Sequence, residues 1–291
     1  TSRMAKMLGF KQFILESSMP KSKAHQERRF VKLLGGGEPE DGDNEAKVAH
    51  EVFKKTSGVK PSKVYDVTKT GPKKRIMKNL GVETPNEKDH PHDVIFLHNG
   101  KPHGISLKLG GSTWSNYGRK AFEGHDEDLH KKLNDHWDNH YGKAQKIKQR
   151  LIPGSKQTKS DLKKSVRRTK VDNSYPQSIQ KRRELAEHGA AQIHTDHFNG
   201  LSIENKKEHL NHLLKKDDTI PFSVLSTKTK TMQDYRDMSF HKQLSDAKNI
   251  TATRSGTNIR FHDHDGNHIA TAEHRTTHFP LSPQLNMKLP E

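Results

Sequence analysis

Asp93-Val94-Ile95-Phe96-Leu97-His98-Asn99-Gly100-Lys101-Pro102-His103-Gly104-Ile105-Ser106-Leu107-Lys108-Leu109 is the clearest segment of the chain. Val94 to Leu97 form an apolar run of strand length, short enough to be buried on both faces. Asn99-Gly100 is a hairpin signal, because both residues accept the positive φ that a tight two-residue turn demands. Beyond it Ile105, Leu107 and Leu109 alternate with Ser106 and Lys108, the signature of a second strand with opposed faces. An antiparallel hairpin around Asn99-Gly100 therefore carries Asp93, at the start of one strand, towards Lys108, near the end of the other. Ser106 and Lys108 share a face, because side chains alternate with period two.

Upstream, Asn44 to Lys55 reads as a helix, with Asn44 as its N-cap, Val48, Val52 and Phe53 near helical spacing, and Gly58 as its stop. Leu8, Phe10, Phe13, Ile14 and Leu15 mark a short amphipathic helix. The charged, glycine-bearing stretch 20–43 reads as a tether or surface loop. Val64, Tyr65 and Val67 suggest a strand, and Ile76 to Leu80 a helical turn. Gly110 to Gly118 reads as a polar loop and Arg119 to Leu151 as helical. Residues 153–183 form a basic, turn-rich stretch. Helical spacing resumes at Glu184 to Ile193 and Ser202 to Leu214. Pro221 to Thr227 reads as a further strand. Asn258–His262 and His268–Glu273 flank an Asp265-Gly266-Asn267 turn. This order implies an α/β or α+β fold with a mixed central sheet flanked by helices. The segmentation expected is an N-terminal helix and tether (1–43), a core (44–152), a basic linker (153–183) and a C-terminal region (184–291) that adds the last core strand and a hairpin.

Composition narrows the function. Lys and Arg number 52 against 35 Asp and Glu in 291 residues, a formal charge of +17. Such an excess favours a polyanion, because each cation set on a phosphate releases condensed counterions. With 29% hydrophobic and 30% charged residues, the chain is expected to hold a compact core with long polar connections. It has no cysteine, which excludes disulfides and thiolate metal sites. No apolar run approaches the ~20 residues of a membrane span, and the first residues lack a signal-peptide pattern. The expectation is a soluble, cytoplasmic protein. A phosphate-binding loop and a Gly-x-Ser-x-Gly elbow are both absent, which argues against an NTP motor and an ordinary hydrolase triad.

Phosphodiester hydrolysis needs oxygen ligands for a divalent metal, a group that positions water, and positive charge against the developing phosphorane. Asp93 suits the first role, Lys108 the others, and the Leu107 carbonyl is a further candidate ligand. Here His92-Asp93 and Ser106-Leu107-Lys108 resemble the PD-(D/E)xK, restriction-endonuclease-like nuclease superfamily, whose core runs helix, three strands, helix, strand. The resemblance covers residues 44–128 and extends to the strand at 221–227. It departs where Ser106 stands in place of the usual acid and His92 in place of Pro. In a subset of the family the acid comes from the following helix, which points to Glu123, with Asp126, Glu127 and Asp128 as alternates. Many members also carry a Glu on the first helix, which here means Glu45 or Glu51, with Glu51 preferred. The resemblance implies Mg²⁺ or Mn²⁺ as cofactor, DNA as substrate and a homodimer as a common working form. Ser106 itself would only hydrogen-bond.

Ser112, Thr113, Asn116, Arg119 and Lys120 follow the Lys strand and are candidate DNA contacts, as are Arg167 and Arg168 in the basic stretch. The Lys-rich style with its Phe10-Lys11-Gln12-Phe13 start is similar to proteins of tailed bacteriophages. Histidine is abundant, at 21 residues. His136 and His140 share a helix face as a zinc pair would, but no Glu follows His136, so surface histidines are the simpler reading. A loss of catalysis at Ser106 would leave a nucleic-acid-binding or phage structural protein, the alternative to an enzyme.

Overall fold

The computed structural model describes residues 22–67, 70–81, 92–110, 113–151, 177–216, 218–278 and 282–290. The chain is α+β and divides into two compact units, Thr1–Ser112 with Lys216–Met238, and Thr113–Lys215 with Ser239–Glu291.

In the first unit, helix α1 (Lys23–Leu34) precedes α2 (Asn44–Ser57), β1 (Lys63–Asp66), α3 (Thr70–Asn79), β2 (Val94–His98) and β3 (Lys101–Lys108). After the excursion through the second unit come β5 (Phe222–Ser226) and β6 (Thr231–Asp234). They form one sheet in the order β1-β2-β3-β5-β6. β1, β2 and β3 meander antiparallel, β5 runs parallel to β3, and β6 returns antiparallel. The turn between β2 and β3 is the one expected: Asn99 has φ 50° and Gly100 φ 77°.

The sheet buries one face against α1 and α2. Val94, Phe96, Ile105, Leu107 and Leu225 meet Phe30, Leu33, Ala46, Ala49, Val52 and Phe53, and Phe53 stands edge-on to Phe96 with ring centres 5.5 Å apart. On the other face Ile95 packs with Val67, Met77 and Ile220. Gly104 leaves room there for the buried His92 ring, because a Cβ at this position would overlap His92 Nδ1.

The described part of the stretch expected as a tether or surface loop, residues 22–43, opens with a helix instead. Lys23–Leu34 is a helix, opened by Ser22, whose hydroxyl accepts from the His25 amide. Its inward face mixes Phe30, Leu33 and Leu34 with Gln26 and Arg29, so the apolar periodicity is diluted. The polar members are satisfied. Arg29 donates to Asp43 Oδ2 and to Glu40 Oε1, both at 2.7 Å. Gln26 bridges the Gly42 carbonyl and the Ala46 amide, which fastens α1 to the start of α2.

The second unit contains β4 (Thr113–Tyr117), α4 (Glu127–Leu151), α5 (Gln177–Gly200), α6 (Ile203–Leu214), α7 (Ser239–Asp246), β7 (Ile250–Ser255), β8 (Asn258–Asp263), β9 (His268–His278) and β10 (Ser282–Lys288). Its antiparallel sheet runs β4-β10-β9-β8-β7. There are thus two sheets rather than one, and the C-terminal hairpin belongs to the second. The expected polar loop after Lys108 is in part strand β4. The Trp114 indole donates to the Leu214 carbonyl and the Ser115 hydroxyl to that of Leu213, which anchors the strand against α6. Among the described residues no helix is long and apolar enough to cross a membrane.

Candidate active site

The end of the first sheet opposite the Asn99-Gly100 turn gathers the charged residues. The β2–β3 ladder pairs Val94 with Ile105 and extends through the Asp93 amide, which donates to the Ile105 carbonyl at 2.9 Å. Asp93 therefore stands opposite Ser106, on the face that Lys108 shares. The Leu107 amide donates to Asp93 Oδ2 at 2.7 Å, which fixes the carboxylate against β3. Leu107 meets Asp93 through its amide, and its side chain lies in the core.

Lys108 is partly exposed, yet loss of hydration pulls its pKa below that of a free lysine, while Asp93 and then Glu27 oppose the shift. Glu27, on α1, is raised to about 7. Burial is the main cause and Asp93 the next, Lys23 opposes it, Asp66 adds to it and Lys108 opposes it. Three carboxylates and Lys108 therefore feel one another at this sheet end: Glu27 from α1, Asp66 closing β1, and Asp93 opening β2. Asp93 and Lys108 are the two residues the sequence singles out at this end; Glu27 and Asp66 join them only in three dimensions. Ser22 followed by Gln26, Phe30, Leu33 and Leu34 was the available signal for Glu27, hidden because two of the inward positions of that helix are polar.

The helix acid expected from α2 is placed differently. Glu51 is exposed, on the side away from the buried Ala46, Ala49, Val52 and Phe53. Glu45, the other candidate, is half-buried and faces the backbone of Gly110 (φ 51°), just past the end of β3, where any Cβ would collide with its carboxylate. Ser106 is buried within the sheet.

Glu123 belongs to the second unit, where the exposed Lys120 holds its carboxylate at 2.6 Å and below the usual pKa range. Asp126 pairs with His197 at 2.6 Å, and Asp128 with Lys132 at 2.6 Å. Thr113, Asn116, Arg119 and Lys120 are exposed in the same unit, Arg119 being tied to Asn134 and Asp138 of α4. Ser112, Arg167 and Arg168 lie outside the described residues.

A second cluster, in the second unit, is built from histidine. His194 on α5 lies 2.9 Å from His274 of β9 through Nδ1 and 2.8 Å from His209 of α6 through Nε2. All three are buried, with Phe122, Phe198 and Phe261 around them. Burial drives His194 well below its usual pKa and takes His209 and His274 to about 3. One proton per ring satisfies both contacts when His209 donates to His194 and His194 to His274, an order that leaves His209 Nδ1 as a bare acceptor. These nitrogens face one another in a chain and do not converge on a point. Nor is His140 a surface residue; it is buried and held near a pKa of about 4, by burial and then by His136. Among the described residues no group of three or more His, Asp or Glu is arranged to hold a metal ion.

Comparison with protein-family models, with characterised proteins and with solved structures returns no match.

Proposed function

We propose that the protein is a metal-dependent endodeoxyribonuclease of the PD-(D/E)xK type, working at the end of the first sheet. The observation that carries the reading is the setting of Lys108: a lysine of lowered pKa at the end of β3, with Asp93 pinned across the ladder and Glu27 pressing from α1. The strand order adds support, since three antiparallel strands behind α2 are followed by β5 parallel to the Lys strand.

The donor set fits a hard divalent cation. Burial and neighbouring Asp93 and Asp66 raise the proton affinity of Glu27, so positive charge at this point is favoured. Mg²⁺ is content with one or two carboxylates when water and phosphate oxygens fill its other positions. Asp93 and Glu27 would hold it, taking the part that Ser106 cannot play. When bound, such an ion supplies charge against the phosphorane and lowers the pKa of a coordinated water. Lys108 orients the attacking water and donates to a non-bridging phosphate oxygen, where its charge grows in value as the transition state forms. The Leu107 amide keeps Asp93 aimed, and Thr227 fixes the end of β3 by accepting from the Gly110 amide at 2.9 Å.

The working form expected is an intracellular, phage-encoded enzyme that cuts duplexes as a dimer. Nicking of supercoiled plasmid with Mg²⁺ or Mn²⁺ tests the reading, and it should vanish with EDTA and in Asp93→Asn. A chain that retards plasmid on a gel but never cuts it would instead be a DNA-binding protein.

A further inference from the structure

Residues 226–231 read Ser-Thr-Lys-Thr-Lys-Thr, alternating hydroxyls with ammonium groups. They form the connection between β5 and β6, with Ser226 paired to Thr231 across it. β5 is parallel to β3, and Lys108 stands beside Ser226. The turn therefore projects from the same sheet end as Asp93 and Lys108. It is also fastened to the Lys108 strand: the Thr227 amide donates to the Lys108 carbonyl at 3.2 Å, and its Oγ1 accepts from the Gly110 amide. Within the turn the Thr229 amide donates to Ser226 Oγ, and Thr229 Oγ1 meets Thr231 Oγ1 at 2.7 Å.

Lys228 and Lys230 are exposed. Lys230 sits at φ 55°, a left-handed conformation that glycine or asparagine would adopt at less cost. A lysine kept there is backbone strain spent on where its side chain goes. The neighbouring carboxylates of Asp93, Glu27 and Asp66 repel a phosphate chain, so a polyanion entering this end needs cations flanking them. Lys23, exposed at the start of α1, adds one more, close enough to act on both Glu27 and Lys108.

We propose that the β5–β6 turn is a clamp for the backbone of duplex DNA, with Lys228 and Lys230 each on a phosphate near the one presented to Lys108. The inference deepens the nuclease reading and rests on it for the position of the scissile phosphate. Duplex is favoured over single strand because single-strand grooves work by stacking bases on aromatic rings. Among the described residues no Phe, Trp or Tyr side chain is exposed, and Leu185 is the sole large apolar one that is.

The test is fluorescence anisotropy of a labelled duplex of about 20 base pairs in EDTA, between 50 and 200 mM KCl, for the wild type and Lys228→Ala/Lys230→Ala. Two lost phosphate contacts should flatten the slope of log K against log salt by about 1.8, so that the wild type's advantage in affinity shrinks roughly tenfold between 50 and 200 mM. Lys55→Ala/Lys101→Ala removes the same charge away from this end, Lys101 lying beside the Asn99-Gly100 turn, and should leave most of the slope intact. Lys230→Gly guards against a folding artefact, since it relieves the left-handed strain: its melting temperature should be no lower than the wild type while its affinity falls. An unchanged slope in the double variant, or an equal change in the Lys55/Lys101 control, overturns the clamp. A larger loss on a single-stranded 20-mer than on the duplex overturns the choice of duplex. Binding that depends on these lysines without plasmid nicking keeps the clamp and discards the nuclease. Nicking with an unchanged slope does the reverse.

Discussion

Glu27→Gln should make the metal-free protein more stable at pH 8 and leave it without nuclease activity. The unfolded chain releases this proton near 4.5, whereas the folded protein holds it to about 7. Between those values the native state binds more protons than the unfolded one, so stability falls as pH rises through the window and stays lower above it. At about 1.4 kcal/mol per pH unit, the interval from 4.5 to about 7 sets a ceiling of about 3 kcal/mol on that loss. Glu27 retains some exposure, and Lys108 forfeits a counter-charge when the carboxylate is removed. Both effects bring the expected gain down to about 1–2 kcal/mol. Urea denaturation in EDTA at pH 4.5, 6 and 8 reads it directly. The two proteins should have similar midpoints at the lowest pH and separate as the pH rises, the variant being the more stable. Added Mg²⁺ or Mn²⁺ should stabilise the wild type at pH 8 and do less for the variant, because a ligand stabilises only the state that binds it. Parallel pH profiles for the two would refute both the crowding of carboxylates around Glu27 and its place in the site.

The histidine chain predicts acid lability. Folded-state values near 3 lie below the ordinary 6.5, so the stability from His209 and His274 is complete above pH 6.5 and is lost as pH falls towards 3. At pH 5 each should have cost about 2 kcal/mol; an NMR titration showing either ring protonated above pH 6 would contradict the burial argument. Gly104→Ala drives a methyl group into the His92 ring and should cost about 1–3 kcal/mol by overpacking, read as a lower urea midpoint with unchanged m-value. Thr227→Val strands the Gly110 amide at the end of β3; a loss of about 1–2 kcal/mol is expected, and a nicking rate that falls further than stability would mark Thr227 as a positioning residue.

The hairpin from Asp93 to Leu109 was legible because three local signals coincided there: an apolar run, an Asn-Gly turn and strict alternation. Strand β5 was legible as a strand, but its partner was not. Nothing in Phe222–Ser226 says that it runs parallel to β3 from more than a hundred residues away, since pairing of that kind is set by tertiary packing. The hand-over between units after Ser112 and the return at Lys216 likewise carry no compositional mark. Helix α1 was lost because Gln26 and Arg29 fill inward positions that apolar residues usually hold; their partners Gly42, Ala46, Glu40 and Asp43 become visible only in three dimensions. Glu27 was lost with it. The acids beyond Lys108 were easy to count and hard to place: Glu123 pairs with Lys120 three residues away, a local contact that spacing from Lys108 does not reveal. The buried histidines escaped for a related reason, since His194, His209 and His274 lie on three elements with no common period.

The role proposed for Lys108 is to act on a phosphodiester beside Asp93 and Glu27. The most direct measurement is the rate of supercoiled-plasmid nicking in Mg²⁺ by the wild type and by Lys108→Ala, with the fold of both checked by circular dichroism. Nicking by the wild type is expected, with a fall of about 100-fold or more when the ammonium is removed, the scale of losing one transition-state donor. A folded Lys108→Ala protein that nicks as fast as the wild type would contradict it.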